Sequence, residues 1–300
     1  MKQNNLRRNG FLKLLEGFSA RLYIILAVIF YKVKAEMERV EKALKKIQDA
    51  KNKVVQPTIK ASEESLVINY TQTKTHEINH ELLRERRVVS LEKYGAEAET
   101  FKLLRTKVLK QLRVNNWNSV GITGPTQGVG KTMVSVNLAI AMAREVNQTV
   151  LLVDLDLRVP RIQWYFDVEV EKGLSDCLMQ NIPISEVLIN PSIERLVILP
   201  GRGRSESSSE LLSGPLMRQI VEEIKQRYQS RIIIFDLPPI LASDDVLACM
   251  DFFDAALLVV AEGESKPEDV TKSLHMLSGS NLLGMVLNKA ENIPDHIGYY

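Results

Sequence analysis

The 300-residue sequence predicts an α/β fold, a mostly parallel twisted sheet with helices on both faces. Three observations predict it. From residue 119 onward, short β-branched or Leu-rich runs alternate with amphipathic segments, a pattern that builds a parallel sheet through right-handed crossovers. The runs are apolar at consecutive positions, as in strands covered on both faces. A glycine-rich turn, TGPTQGVGKT (Thr123–Thr132), follows the first run and opens the first helical segment.

The elements follow in order. Met37 opens a helical pattern with Val40, Leu44 and Ile47 on one face, and Pro57 ends it. Residues 54–80 are polar, lack a sustained period and read as a flexible linker. AEAETFKLLRTKVLKQL (Ala96–Leu112) is an amphipathic helix whose Phe101, Leu104 and Val108 share a face. The strands are SVGIT, TVLLVDLD, RLVILP, RIIIFDLPP, AALLVVAE and LLGMVLNK, each bounded by polar or turn residues. Helical segments such as KTMVSVNLAIAMAREV and SELLSGPLMRQIVEEIKQRYQ lie between them. The chain thus divides into an apolar and basic extension (1–36), a helix with a linker (37–95) and an α/β domain (96–300).

Composition bounds the function. Apolar residues make up 45% of the chain, enough for a sizeable core. Two distant cysteines, Cys177 and Cys249, fit a reducing compartment and offer no metal-ligand spacing. Residues 1–60 carry 14 Lys/Arg against 5 Asp/Glu, so a basic arm precedes an acidic globule. Such an arm is a solvated helix face, or it attracts acidic lipid or an acidic partner. A nucleic-acid role is disfavoured, because stacking aromatics do not interleave with the charges. The run Leu22–Tyr31 is ten residues, against the ~20 of a membrane span. It reads as an interfacial anchor or as an extension ahead of a start at Met37.

The turn 123–132 ends as a phosphate-binding loop does, in Gly-Lys-Thr, but its first glycine is Gly124, one place early, with Pro125 in the usual position. With a strand before it and a helix after it, the segment predicts a P-loop NTPase. Thr126, Gln127, Gly128, Val129, Gly130, Lys131, Thr132 and Met133 then form the nucleotide-contacting stretch. Backbone N–H groups and the helix N-terminus face the phosphates, Lys131 reaches the β- and γ-phosphates of ATP, and the Thr132 hydroxyl holds Mg²⁺. Asp154 and Asp156 in VLLVDLDLRVPR, and Asp236 in IIIFDLPP, stand at strand ends, where an unpartnered carboxylate is costly. Alternation along an extended strand directs Asp154 and Asp156 the same way. Asn288, in LNKAE, is placed to touch a base, while Glu291 stands where a guanine reader would carry Asp.

Together these motifs resemble the bacterial tyrosine kinases, the cytoplasmic kinases of polysaccharide synthesis and export. The residues that carry the resemblance are TGPTQGVGKT, DLDLRVP, FDLPP, the stretch LPGRGRSESSSELLSGPLMRQIVEEI and the helix AEAETFKLLRTKVL, over about residues 96–300. Septum-site and chromosome-partition ATPases share the fold but carry a signature lysine where Thr126 stands here. The resemblance implies an ATP-dependent tyrosine autokinase with Lys131, Asp154 and Asp156 as catalytic residues, Asp154 being the base. Thr132, Asp156 and Asp236 would hold magnesium. Arg158 and Arg161 would clamp phosphate or an acidic neighbour.

Tyr299 and Tyr300 are the implied autophosphorylation sites, fewer than the family's usual cluster. The resemblance further implies a homo-oligomeric ring, a separate membrane activator of the chain-length-determinant type and a cytoplasmic location at the inner face of the membrane, with peripheral membrane association. Glu99, Lys102 and Arg105 hold the places of the ring-forming Glu-x-x-Arg-x-x-Arg, and lysine lacks arginine's planar fork. The alternative reading is a nucleotide-switched scaffold or positioning ATPase without tyrosine chemistry, which the sparse tail favours and the missing signature lysine disfavours.

Overall fold

The computed structural model describes residues 73–226 and 230–291. The helix pattern from Met37, the run Leu22–Tyr31 and the tyrosines Tyr299 and Tyr300 lie outside the described residues. All six expected strands form: β2 (Ser119–Thr123), β3 (Thr149–Asp154), β5 (Leu196–Leu199), β6 (Arg231–Asp236), β7 (Ala255–Ala261) and β8 (Leu282–Asn288). Two short strands join them, β1 (Lys74–Thr75) and β4 (Ile189–Asn190), each too brief to leave a periodic signal. The eight-stranded sheet has the order β1-β4-β5-β3-β6-β2-β7-β8, and every pairing is parallel except β4 with β5.

The central strands are buried on both faces, as their continuous apolar runs require. Alternate residues feed two separate cores. Val150, Leu152, Ile232 and Ile234 pack on one face, with Leu104, Val108 and Leu112. Leu151, Val153, Ile233 and Phe235 pack on the other, with Met217, Val221 and Ile224. The helices are α1 (His80–Glu85), α2 (Ala96–Asn115), α3 (Lys131–Ala143), α4 (Ile162–Tyr165), α5 (Leu174–Gln180), α6 (Ser208–Ser213), α7 (Pro215–Gln226), α8 (Asp245–Ala248) and α9 (Pro267–Met276). The segment that reads as one helix from residue 209 is broken in two. Gly214 takes an extended conformation and Pro215 begins α7, where its missing N–H costs no helical bond.

The folded unit extends N-terminal of Ala96, into residues that read as linker. β1 pairs with β4 at the sheet edge, and α1 starts at the side-chain cap of Asn79, whose Oδ1 accepts from the N–H groups of Glu81 and Leu82. Leu83 and Val88 from this stretch are core residues. α1 ends in a Schellman motif: Val88 N–H bonds Leu83 O and Arg87 N–H bonds Arg84 O, each at 2.8 Å. Arg87 has φ 60° at the left-handed position, where glycine is the usual residue and a side chain costs about 1 kcal/mol.

No helix among the described residues is long and apolar enough to cross a membrane. Cys177 and Cys249 are free and buried, and burial raises both thiols, that of Cys177 to about 11.

Candidate active site

The loop 124–130 leaves the C-terminal end of β2 and returns as α3. The displaced first glycine has a steric cause. A Cβ on Gly124 would lie 2.5 Å from Val129 Cγ2 and 2.6 Å from the Val259 carbonyl oxygen, so only glycine lets the chain exit between β2 and β7. Pro125, next to it, has no N–H to satisfy, and its carbonyl accepts from Leu241 N–H at 3.3 Å. Gly130, at φ 94°, turns the loop into the helix. Thr126, Gln127 and Gly128 are exposed at the tip, whereas Val129 is buried beneath it.

Lys131 opens α3 and is buried at the foot of the loop, where its charge acts on both Asp156 and Asp236. Thr132 and Met133, half-buried, follow in the first turn of the helix.

β3 and β6 are neighbours in register, so Asp154 stands opposite Asp236 at the two strand ends. Both carboxylates are fully buried. Burial and the Asp236 charge raise the Asp154 carboxyl well above the ordinary range. Burial pushes Asp236 up to about 6, although the Lys131 charge, Thr132 and the hydrogen bond from Ser135 oppose the rise.

Extended alternation does not govern the Asp154–Asp156 pair, because β3 ends at Asp154. Asp154 itself bends the chain. Its Oδ1 accepts from Asp156 N–H at 3.2 Å, and its Oδ2 accepts from Arg161 N–H at 2.9 Å and Ile162 N–H at 3.0 Å. Asp156 accepts from Val159 N–H at 3.1 Å, and burial raises its carboxyl against the opposing pull of Lys131.

The residues fit a magnesium ion that shares its ligands with phosphate. Asp236 Oδ1 accepts from Ser135 Oγ at 2.8 Å, whereas Asp236 Oδ2 is buried without a hydrogen-bond partner. Thr132, in the first turn of α3, lies close enough to the same carboxylate to lower its pKa. Among the described residues no group of three or more His, Cys, Asp or Glu could hold a metal alone. Magnesium tolerates such a site, since it keeps several waters and takes one or two carboxylates together with substrate phosphates.

Asn288, Arg158 and Arg161 lie around this cluster in three different settings. The Asn288 side-chain amide donates to the Val129 carbonyl at 2.8 Å, so it grips the phosphate loop. Arg158 makes two bonds to the buried Asp245, at 3.0 and 3.2 Å, and so meets an acidic neighbour, one of its two expected partners. Arg161 is exposed and makes no side-chain hydrogen bond or ion pair among the described residues. On α2, Lys102 pairs with Glu99 at 2.6 Å and Arg105 with Glu145 at 3.0 Å, all within the chain.

Sequence reasoning passed over Ser135 and Asn137. Ser135 was legible as the residue four places after Lys131, hence on the same helix face. Asn137 had no such signal. Its Oδ1 accepts from Val89 N–H at 2.8 Å and Ser90 N–H at 3.0 Å, and its amide donates to Arg87 O and Met133 O, each at 2.9 Å. These partners lie far away in sequence or on the backbone, where a pattern of side chains cannot show them.

The fold and site define a nucleotide-binding P-loop protein of the doubly covered parallel-sheet type. A family model described as "AAA domain" matches residues 120–262. The tyrosine-protein kinase YwqD of Bacillus subtilis is 29% identical over 220 residues, which are 72% of this chain and 92% of that protein. The tyrosine-protein kinase etk of Escherichia coli K12 is 31% identical over 192 residues, 63% of this chain but only 26% of that protein. The solved kinase domain of Escherichia coli tyrosine kinase ETK superposes with a TM-score of 0.64 at 27% identity, covering 74% of this chain and 90% of that domain. The chain is thus similar in sequence and in fold to bacterial tyrosine kinases.

Proposed function

We propose that this chain is an ATP-dependent protein-tyrosine autokinase that regulates exopolysaccharide or capsule synthesis and export. One observation carries the reading: Lys131, Asp156 and Asp236, from a helix start, a loop and a strand end, act on one another beneath a single phosphate loop. Homology to tyrosine kinases over 72% of the chain supports the reaction class.

In this reading ATP lies along residues 126–133, with its phosphates on the loop N–H groups and the α3 N-terminus. Thr132, Asp156 and Asp236 would hold magnesium, which would supply positive charge against the phosphates. The tyrosine oxygen attacks the γ-phosphorus, the bond to the β–γ bridging oxygen breaks, and ADP leaves. The phenolic proton goes to Asp154. Three backbone N–H groups occupy three of that carboxylate's roughly four lone-pair directions, which leaves one for the substrate hydroxyl. Lys131 stabilises the charge on the transferred group, and its loss costs about a hundredfold in rate. The acceptors are Tyr299 and Tyr300 of a neighbouring copy in a ring. A separate membrane protein of the chain-length-determinant type activates the kinase at the cytoplasmic face of the membrane.

The test is mass spectrometry of the purified chain after incubation with Mg-ATP, with and without the activator's cytoplasmic segment, and with Lys131→Ala as control. Phosphate on Tyr299 or Tyr300 that disappears in the control is the expected result. Unmodified tyrosines on a chain that binds ATP tightly beside an active partner would overturn the reading and leave a nucleotide-switched scaffold.

A further inference from the structure

Ser135 stands one turn of α3 beyond Lys131 and is fully buried. Its hydroxyl reaches two oxygens at once, the Lys131 carbonyl at 3.0 Å and Asp236 Oδ1 at 2.8 Å. A serine hydroxyl has one proton to give. The Lys131 carbonyl already accepts the helical N–H four residues on. A carboxylate is the stronger acceptor, since a hydrogen bond to an ionised group is roughly twice as strong as one between neutral groups. The proton therefore goes to Asp236, across 101 positions of sequence.

That bond decides how the carboxylate is turned. The main chain at Asp236 is fixed by the sheet. Its carbonyl accepts from Leu155 N–H at 2.8 Å, and the N–H of the next residue, Leu237, donates to Ile122 O at 2.9 Å. The side chain has more freedom, because the terminal torsion of an aspartate is broad. Asp154, opposite in register, has its own oxygens on the N–H groups of Asp156, Arg161 and Ile162. With Oδ1 of Asp236 on Ser135, Oδ2 stays buried without a hydrogen-bond partner. A buried oxygen left in this way is costly unless a ligand meets it.

We propose that Ser135 is a positioning residue, whose hydroxyl takes Asp236 Oδ1 and so presents Oδ2 to a magnesium ion or to a water that the ion carries. The inference rests on the magnesium part of the reading above and is independent of the tyrosine chemistry. Ser135 acts through the carboxylate and lies beneath the nucleotide site, so its effect falls on the metal. Removing an outer hydrogen bond of this kind weakens metal affinity by about 10- to 100-fold. The same hydroxyl ties the end of β6 to the helix that carries Lys131 and Thr132, which keeps the metal ligands of two elements in one arrangement.

The experiment measures ADP binding to the full chain by calorimetry, in EDTA and across a magnesium titration. It compares the native chain with Ser135→Ala and Ser135→Thr, each checked by a thermal melt. Threonine in a helix can hold its hydroxyl against the carbonyl four residues back, which is where the Ser135 hydroxyl lies. Ser135→Ala is expected to need about tenfold more magnesium to tighten ADP, with its affinity in EDTA unchanged and Ser135→Thr close to native. Added to Asp236→Asn, Ser135→Ala should change the magnesium requirement little further. If Ser135→Ala does not fold, Ser135→Cys, a weaker donor, is expected to shift the requirement part of the way. An unshifted magnesium requirement, or an equal loss of ADP affinity with and without magnesium, overturns the inference. A native chain whose ADP affinity ignores magnesium overturns the magnesium ligands along with it. A shifted requirement in a chain that forms no phosphotyrosine keeps the inference and removes the kinase reading alone.

Discussion

Asn288, the last residue of β8, holds the carbonyl of Val129 in the phosphate loop at 2.8 Å, across 159 positions of sequence. The bond turns this carbonyl toward the sheet edge and leaves the neighbouring N–H groups to face an anion. Asn288→Ala removes one hydrogen bond and is expected to raise the Kd for ATP five- to tenfold, with little change in stability. A Cβ on Gly130 would collide with Asn288 Nδ2, so Gly130→Ala must displace the same contact. Calorimetric titration of both single variants and the double should show clearly sub-additive losses.

The Asp154–Asp236 pair makes stability depend on pH with a sign that can be worked out. An ordinary aspartate titrates near 3.8, and Asp236 in the folded chain near 6. Between those values the folded state holds a proton that the unfolded state has released. Nucleotide-free protein therefore loses stability as pH rises from about 4 to about 6. Asp154, also raised, acts in the same direction. Asp236→Asn keeps an oxygen for Ser135 and removes the buried charge. Thermal melts at pH 8 should show the variant more stable than the native chain in the absence of nucleotide, yet without magnesium-dependent activity.

Asn137 ties the segment before α2 to the helix that follows the phosphate loop. Asn137→Ala strands the N–H groups of Val89 and Ser90 and is expected to cost about 2 kcal/mol in urea unfolding. Hydrogen exchange should rise at residues 86–92 before it rises in the central strands. Arg144, which donates to the carbonyls of Ser90, Leu91 and Glu92, would hold the segment only in part.

Arg158 anchors the loop that carries Asp156 to α8, through the buried Asp245 that also accepts from Ser208. Arg158→Ala leaves that carboxylate buried and unpaired and is expected to cost about 3 kcal/mol. Arg158→Lys keeps the charge but loses the two-point contact, so denaturation should place it between the native chain and Arg158→Ala.

Much of this was legible because it is local. Six continuous apolar runs gave six strands, and Gly-x-Gly-Lys-Thr between a strand and a helix gave the loop. Two readings of local pattern were overridden. Residues 74–75 and 80–85 looked like linker because two-residue pairings and a six-residue helix leave no period, and their stability comes from packing Leu83 and Val88 against distant elements. The acidic motif looked like an extended strand through Asp156, but the Asp154 carboxylate captures backbone N–H groups and ends the strand there.

The sequence by itself determined the fold class, the phosphate loop and which aspartates stand at strand ends, because each follows from neighbours within a few residues. Only the tertiary structure decided what those residues do to one another. It set Asp154 against Asp236 by sheet register, spent Arg158 on Asp245 and turned Asn288 onto Val129. Charge and hydrogen-bond energies depend on distances in space, and the chain fixes those distances only when it packs.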